Sequence, residues 1–519
     1  MLNKRLLNIV GYLLLFLGIS MLFSVAWSYY YNEHYAFYIL IKSFLITSSS
    51  GLFLVILTQF KFKRIAPFFT FKNKSKFELS YKDGYLLVTL TWVLMAIFSA
   101  LPFYFYGGAF TNYIDAFFEA ISGLTTTGAT VLTGMEINSY HNTEILSNGD
   151  ITAKGLMFWR SFTQFIGGIG IIVFSIAILP LLGFGGVQLF RAEVAGPVAD
   201  KLTPRVKQTA KLLWGIYIGL IIAETIILMI EGVNFYDSLT HSFTTIATAG
   251  FSTYGNSISG LSSVVTIPSI VEYTIIFFMI LAATSFSLHF LAFRKGQFEY
   301  FKDHEFKVYI SILFLCLLIF FTDNYISNFF KYGTFEEGFR KSLFTSVSLL
   351  TTTGFSTVDY DTWGYTSKTT IFVLFFIGGC AGSTTGAIKI IRTILVFKFL
   401  SRELKKLIHP KGVFHIKISD KRVPEEIVSN TVGFYLFYIF IFVFAGILFS
   451  FLGLDFITSL SASASAIGNI GPGLGGIGPS ENWDIVGNAG KVLATSLMLL
   501  GRLEIFTVML LFSGGFTKK

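Results

Sequence analysis

The sequence predicts an all-α integral membrane protein. It has four tandem units, each a span, a half-crossing helix and a second span, around a pseudo-four-fold axis, with a two-span unit in front. Three observations carry this. The 519 residues are 53% hydrophobic and 13% charged, about half the charge of an ordinary soluble chain, and lipid is the solvent that suits such a composition. Apolar runs near 9–29, 36–59, 84–106, 155–180, 210–231, 268–293, 307–322, 367–397, 429–453 and 490–513 approach or exceed the roughly 20 helical residues that cross about 30 Å of hydrocarbon. Four short segments between these runs align on a glycine.

The first run has a basic flank, Lys4 and Arg5, but it is too long for a secretory leader and lacks a small-residue cleavage site. Trp27 and Tyr29–Tyr31 close it with an interfacial aromatic belt. It reads as a retained helix, paired with the second run in a unit over 1–75. Lys and Arg crowd 61–82, 191–211, 294–307 and 398–422, whereas 232–271 has none. With an even number of spans, that alternation puts both termini and the basic loops in the cytoplasm. The same distribution explains the net charge of +9 without nucleic acid as a partner. Cys316 and Cys380 both lie in apolar runs and supply neither a disulfide framework nor a zinc-ligand spacing.

The four outer segments are DAFFEAISGLTTTGAT (115–130), DSLTHSFTTIATAGFS (237–252), KSLFTSVSLLTTTGFS (341–356) and DFITSLSASASAIGNI (455–470). They align on Gly128, Gly250, Gly354 and Gly468, and LTTTG occurs twice unchanged. Each segment is too short to span the membrane and too apolar for an ordinary loop, so a half-crossing pore helix ending in extended backbone is expected. Asp115, Asp237 and Asp455 are expected to cap helix N-termini. Lys341, at the matching third position, breaks the rule. The units then fall at 76–200, 201–300, 301–420 and 421–519. Extended backbone at membrane depth must line water or be buried in protein. Four such loops around one axis make a pseudo-four-fold pore, with carbonyls placed to replace a cation's hydration shell.

Within 367–397, the stretch GGCAGSTTGAIK (378–389) carries four glycines, each weakening a helix by roughly 1 kcal/mol relative to alanine. A broken helix here is expected to line a cavity. Arg502 sits in the last apolar run, where a charge faces a pore or finds a partner. Lys389 and Arg392 mark the inner end of their span. GPGLGG (471–476) and GLGGIG (473–478) match the dinucleotide-binding glycine pattern but have no preceding strand, so no nucleotide is expected on this chain. No Walker A motif, Cys/His cluster or nucleophile constellation suggests an enzyme. The alternative reading is a sodium- or proton-coupled solute symporter built on broken helices, although such transporters show two inverted repeats rather than four copies in one orientation.

SGLTTTGAT, FWRSFTQFIGGIGIIV (158–173), LFRAEVAGPVADKLTPRVKQTAKLL (189–213), GGCAGSTTGAIKIIR (378–392) and GRLEIFTVMLLF (501–512) resemble the Trk/Ktr/HKT superfamily of potassium transporters, and within it the bacterial TrkH branch. The resemblance covers nearly the whole chain, and the extra two-span unit favours that branch. It implies potassium uptake across the bacterial inner membrane, a homodimer, and a cytosolic RCK-type nucleotide-binding regulatory subunit. It implies a potassium-binding filter of Thr126, Thr127 and Gly128; Thr248, Ala249 and Gly250; Thr352, Thr353 and Gly354; and Ala466, Ile467 and Gly468. Glycine rather than serine at 128 favours potassium as the transported ion. The resemblance also implies an intramembrane gating loop of Gly378, Gly379, Gly382, Ser383, Thr384, Thr385, Gly386 and Lys389, and it places Arg502 below the filter as an electrostatic barrier.

Overall fold

The computed structural model describes residues 4–59, 81–134, 137, 153–173, 206–328, 334–418 and 421–509. These are overwhelmingly helical. Their only β structure is a two-residue antiparallel pair, β1 (Lys417–Ile418) with β2 (Lys421–Arg422), and an isolated bridge between Ile377 and Ile388. The basic clusters at 61–80 and 191–205 lie outside the described residues, as does most of LFRAEVAGPVADKLTPRVKQTAKLL.

The chain opens with an antiparallel hairpin of α1 (Lys4–Tyr30) and α2 (His34–Gln59). Small residues bring the two backbones together. A Cβ on Gly11 would fall 2.9 Å from the Gly51 carbonyl, and one on Gly18 would fall 2.3 Å from the Ser48 hydroxyl. Glu33 in the turn accepts hydrogen bonds from the Lys154 and Gly155 amides, at 2.6 and 3.0 Å, tying the hairpin to the first unit.

The first unit holds α3 (Tyr81–Ser99), α4 (Leu101–Tyr106), the short pore helix α5 (Tyr113–Leu124) and α6 (Lys154–Val173). The second holds α7 (Val206–Ile230), pore helix α8 (Phe235–Ile246), α9 (Ser257–Ser263), α10 (Pro268–Ala282) and α11 (Phe286–Lys295), followed by the connector α12 (Phe298–Lys302). The third has α13 (His304–Asn328), pore helix α14 (Phe335–Leu350), α15 (Tyr365–Leu374) and α16 (Ile390–Ile408). The fourth has α17 (Glu425–Phe451), pore helix α18 (Phe456–Gly468), α19 (Gly487–Arg502) and α20 (Ile505–Met509).

Among the described residues, six stretches are helical, long and apolar enough to cross a membrane: Leu6–Tyr30, His34–Thr58, Gly84–Tyr106, Ala210–Ile230, His304–Tyr325 and Glu425–Phe451. The chain is therefore a multi-pass membrane protein. The second spans depart from the expected continuous helices. The run at 268–293 bends by 97° between α10 and α11. The run at 367–397 stops at Leu374 and resumes at Ile390, and 490–513 breaks after Arg502. Of 155–180, residues beyond 173 lie outside the described set.

The pore-helix caps also differ from expectation. Asp455 is an N-cap, accepting from the Ile457 and Thr458 amides at 3.1 and 3.2 Å. In α5 and α8, however, the caps are Asn112 and Asn234, and Asp115 and Asp237 sit one turn inside. The third pore helix begins earlier, capped by Thr334, so Lys341 lies within it.

That placement explains Lys341. Its ammonium pairs with Glu272 of α10 at 2.9 Å, and Arg340 contacts the same carboxylate. Asp115 pairs with Lys491 of α19 at 2.6 Å. In both cases a pore helix is pinned to the second span of the preceding unit, with α19 preceding α5 around the ring, and the signs of the two partners are exchanged.

Lys491 and Asp115 are almost fully buried, so removing one partner strands the other in low dielectric. Lys491→Met is expected to cost about 3 kcal/mol or more, and Asp115→Asn with Lys491→Met to recover most of it. Thermal melting of the purified protein in detergent reads both.

Candidate functional site

At the C-terminal end of each pore helix the backbone makes the same turn. Thr126, Thr248, Thr352 and Asn469 have positive φ, at 52°, 50°, 54° and 52°. Their amides reach back to Gly123, Thr245, Leu349 and Ala466, and the following amides reach back to Ser122, Thr244, Ser348 and Ser465. This pairing is a helix C-terminal motif in which one left-handed residue turns the chain out of the helix. Non-glycine residues rarely hold that conformation, and four copies of it mark a common construction.

Two residues further on come Gly128, Gly250, Gly354 and Gly471, with φ of 80°, 83°, 78° and 101°. A Cβ at Gly128 would lie 2.1 Å from the Ala249 carbonyl oxygen; at Gly250, 2.0 Å from that of Thr353; at Gly354, 2.1 Å from that of Ile470; and at Gly471, 2.5 Å from that of Thr127. The contacts close into a ring in which each unit's glycine receives the next unit's carbonyl. All four glycines line one cavity of 260 Å³. Among the described residues, the carbonyls of Thr126, Thr127, Thr248, Thr352, Thr353, Asn469 and Ile470 accept no hydrogen bond. Buried carbonyls are rarely left in that state.

The fourth unit therefore sits three residues later than the glycine alignment places it. Ala466, Ile467 and Gly468 form the last turn of α18, and Asn469, Ile470 and Gly471 occupy the positions of Thr126, Thr127 and Gly128. The alignment matched Asp455 to Asp115 and Asp237, whereas its counterparts are the caps Asn112 and Asn234. Sixteen residues separate Asn112 from Gly128, Asn234 from Gly250 and Asp455 from Gly471. An Asx cap read together with that spacing is the sequence signal for the register. Gly471 is also the first glycine of GPGLGG, which is thus part of the ring.

Side chains brace the ring from behind. The hydroxyls of Thr125 and Thr127 bond each other at 2.7 Å, as do those of Thr351 and Thr353, so the LTTTG threonines hold the turn rather than all facing the axis. Asn469 donates to the Thr127 hydroxyl at 3.0 Å and to the Met498 carbonyl at 2.9 Å, joining the fourth unit to the first. Gln164 of α6 donates to the Ala249 carbonyl at 2.9 Å and accepts from the Phe251 amide at 3.1 Å. One turn away, the buried Arg160 pairs with Glu119 at 2.6 Å and donates to the Ser252 carbonyl at 2.9 Å. Trp483 donates to the Gly471 carbonyl at 2.9 Å. These braces were not singled out from sequence. Arg160 and Gln164 at i and i+4 of an apolar helix were the available signal.

Below the ring lies the stretch 375–389, non-helical and folded on itself. The Gly378 amide bonds the Ile388 carbonyl at 2.9 Å, and the Ile390 amide the Gly379 carbonyl at 3.2 Å. Its tip meets the ends of two pore helices and the turn that follows a third. Thr384 donates to the Ile246 carbonyl at 2.9 Å, the Gly386 amide to the Thr352 hydroxyl at 2.7 Å, and the Ala387 amide to the Gly468 carbonyl at 2.9 Å. Ser383 and Thr385 bond each other at 2.9 Å within the loop, and Lys389 contacts the carbonyl and hydroxyl of Thr385. Gly382 has φ of 73° and accepts from the Phe286 amide at the bend of the second unit.

Arg502 is buried and donates to the Thr384 carbonyl at 2.8 Å and to the Gly167 carbonyl at 3.5 Å. Among the described residues it forms no ion pair, while Glu504 pairs with Arg392 at 2.8 Å. The arrangement is thus a cavity, a four-membered backbone constriction, a loop pressed beneath it, and the buried Arg502 guanidinium beside the loop. No cluster of metal-ligating side chains occurs among the described residues.

Comparison with known proteins agrees with this architecture. Residues 52–518 match the family model TrkH, described as cation transport protein. A Trk system potassium uptake protein TrkH from Vibrio parahaemolyticus is 38% identical over 448 residues, covering 86% of this chain and 88% of the relative. The one from Escherichia coli K12 is 37% identical over 453 residues, again 86% and 88%. The crystal structure of the potassium transporter TrkH from Vibrio parahaemolyticus superposes with a TM-score of 0.83 at 33% identity, covering 100% of both chains.

The ring makes a stability prediction. Gly128→Ala and Gly471→Ala each place a Cβ against a neighbouring carbonyl at positive φ, and each is expected to cost at least about 2 kcal/mol. Gly433→Ala, with nothing within 4 Å of its Cβ, is expected to be neutral or stabilising by up to about 1 kcal/mol. Melting in detergent separates them, and equal melting of the Gly471 and Gly433 variants would reject the assigned register.

Proposed function

The chain belongs to the TrkH family of cation transport proteins, and on that premise we propose that it takes up potassium across the bacterial inner membrane through the four-glycine constriction. The observation that carries this is the closed ring of glycine-to-carbonyl contacts around one axis. Backbone oxygens without hydrogen-bond partners at membrane depth suit a partly dehydrated monovalent cation, whose hydration shell they replace. Thr126, Thr127 and Gly128; Thr248, Ala249 and Gly250; Thr352, Thr353 and Gly354; and Asn469, Ile470 and Gly471 form the filter in this reading. The dipoles of four converging pore-helix ends add negative potential beneath it.

The stretch 378–389 is the gate of this pathway, since its tip bonds the ends of α8 and α18 and the turn that follows α14 directly under the ring. Arg502 holds that tip through Thr384 and opposes cations in the same space. Both termini lie in the cytoplasm, where basic loops orient the protein and dock a cytosolic RCK-type nucleotide-binding subunit. The working assembly is a homodimer with one pathway per chain. Four units in one orientation favour this reading over a symporter of inverted repeats.

Rubidium and potassium flux into proteoliposomes, with sodium and amino acids as controls, tests the proposal. Monovalent cation uptake without amino acid uptake is expected, and the converse would reject it. Gly128→Ser and Gly471→Ser should lower potassium-over-sodium selectivity by roughly tenfold, about 1.4 kcal/mol, whereas Ile467→Val should leave it within about twofold, since its side chain lies outside the ring. Shortening the loop within Cys380–Gly386, or Arg502→Ala, should raise flux through a folded protein; unchanged flux in both would remove the loop and the guanidinium from the gate.

A further inference from the structure

The tip of the intramembrane loop is held by the pore helices, but its neck is held from elsewhere. Glu305, in the first turn of α13, reaches the neck with one carboxylate oxygen. Its Oε1 accepts the Ala381 amide at 2.8 Å and the Ile391 amide at 3.1 Å. Ala381 lies where the loop departs, and Ile391 lies in the first turn of α16, where it ends. A single atom therefore joins two points ten residues apart along the chain. The Ile391 amide is among those a helix N-terminus leaves without an intrahelical partner, and a carboxylate is the favoured acceptor there. The adjoining Cys380 amide bonds the Ala283 carbonyl at 2.9 Å, so the departing strand is pinned on two sides.

We propose that Glu305 is a positioning residue for transport: its Oε1 clasps the neck of the loop and keeps the tip seated under the constriction. The inference rests on the reading of 378–389 as the obstruction and adds what holds it shut. The tip's bonds go to separate elements and include the Arg502 guanidinium on the Thr384 carbonyl, whereas both neck bonds meet on one oxygen atom. Withdrawing the loop requires Ala381 to part from Ile391, and both bonds to Oε1 then break together. Glutamine keeps an oxygen at that place, and among the described residues Oε2 makes no hydrogen bond that its amide would forfeit. Alanine removes the acceptor altogether and leaves two amides without it.

The test uses the full chain in proteoliposomes without any partner subunit, in a Cys316→Ala background that leaves Cys380 as the single thiol. Cys380 is 1% exposed in the closed loop, so its alkylation by a maleimide reports opening independently of flux. Glu305→Ala is expected to raise rubidium flux about tenfold, the scale of about one net hydrogen bond, and to make Cys380 reactive. Glu305→Gln is expected to match the parent in both readouts. Should the alanine variant not fold, Glu305→Asp, one methylene short of spanning both amides, is measured in its place. Unchanged or reduced flux, an unreactive Cys380, or a glutamine variant as leaky as the alanine variant each overturns the clasp. The loop-shortened protein separates two failures: if it leaks and Glu305→Ala does not, only the clasp falls; if neither leaks, the obstruction falls with it.

Discussion

Backbone that is neither helix nor closed barrel has no partner in hydrocarbon, and the described structure is organised around meeting that demand at one depth. Four pore helices stop short, and each hands the problem of its exposed turn to its neighbours. The glycine of one unit admits the carbonyl of the next, and Gln164, Asn469 and Trp483 supply donors where the turns meet other elements. No single unit could hold this conformation alone, since its positive-φ residues cost energy that only the assembled ring returns. In the proposed function, transport and fold share that ring, because the carbonyls it leaves without donors are the ones that reading offers to a cation.

The same demand recurs one layer further in. The second spans of three units break at a similar level: at Ala283–Ser285, at 375–389, and after Arg502. The breaks satisfy one another. Cys380 donates to Ala283, Phe286 to Gly382, and Arg502 to Thr384. The proposed gate must be stable when seated and yet replaceable by water when withdrawn. Bonds from neutral amides and hydroxyls to helix ends meet that requirement, because water substitutes for each at small net cost.

Most of the architecture is legible in the sequence because its signals are local. Apolar runs, caps and glycines mark spans and turns without reference to distant residues. The glycine alignment located three of the ring's glycines because their pore helices end at one distance from a matching glycine. It slipped in the fourth because SAIGNIG offers two glycines three residues apart and Gly468 matched an aspartate by chance. The N-cap is the physically constrained residue, since it must accept the first free amides; an aspartate one turn inside is free to serve another purpose, as Asp115 and Asp237 do. The breaks in the second spans were legible only where glycines cluster. Nothing in PSIVEYTIIFFMILAATSFSLHF announces a 97° bend, whose two sides bond the loop packed against it through Ala283 and Phe286.

Lys341 shows what a repeat conserves. The four units share backbone geometry closely, yet the ion pair that seats a pore helix on the preceding unit runs Asp115 to Lys491 in one place and Lys341 to Glu272 in another. A buried pair requires opposite charges at one distance and is indifferent to which element carries which sign. Symmetry in this protein is therefore enforced on backbone, where each unit's carbonyl must meet its neighbour's glycine, and relaxed on side chains, where complementarity suffices. That separation lets one unit carry the loop, another the buried guanidinium, and a third neither, without disturbing the ring they close together.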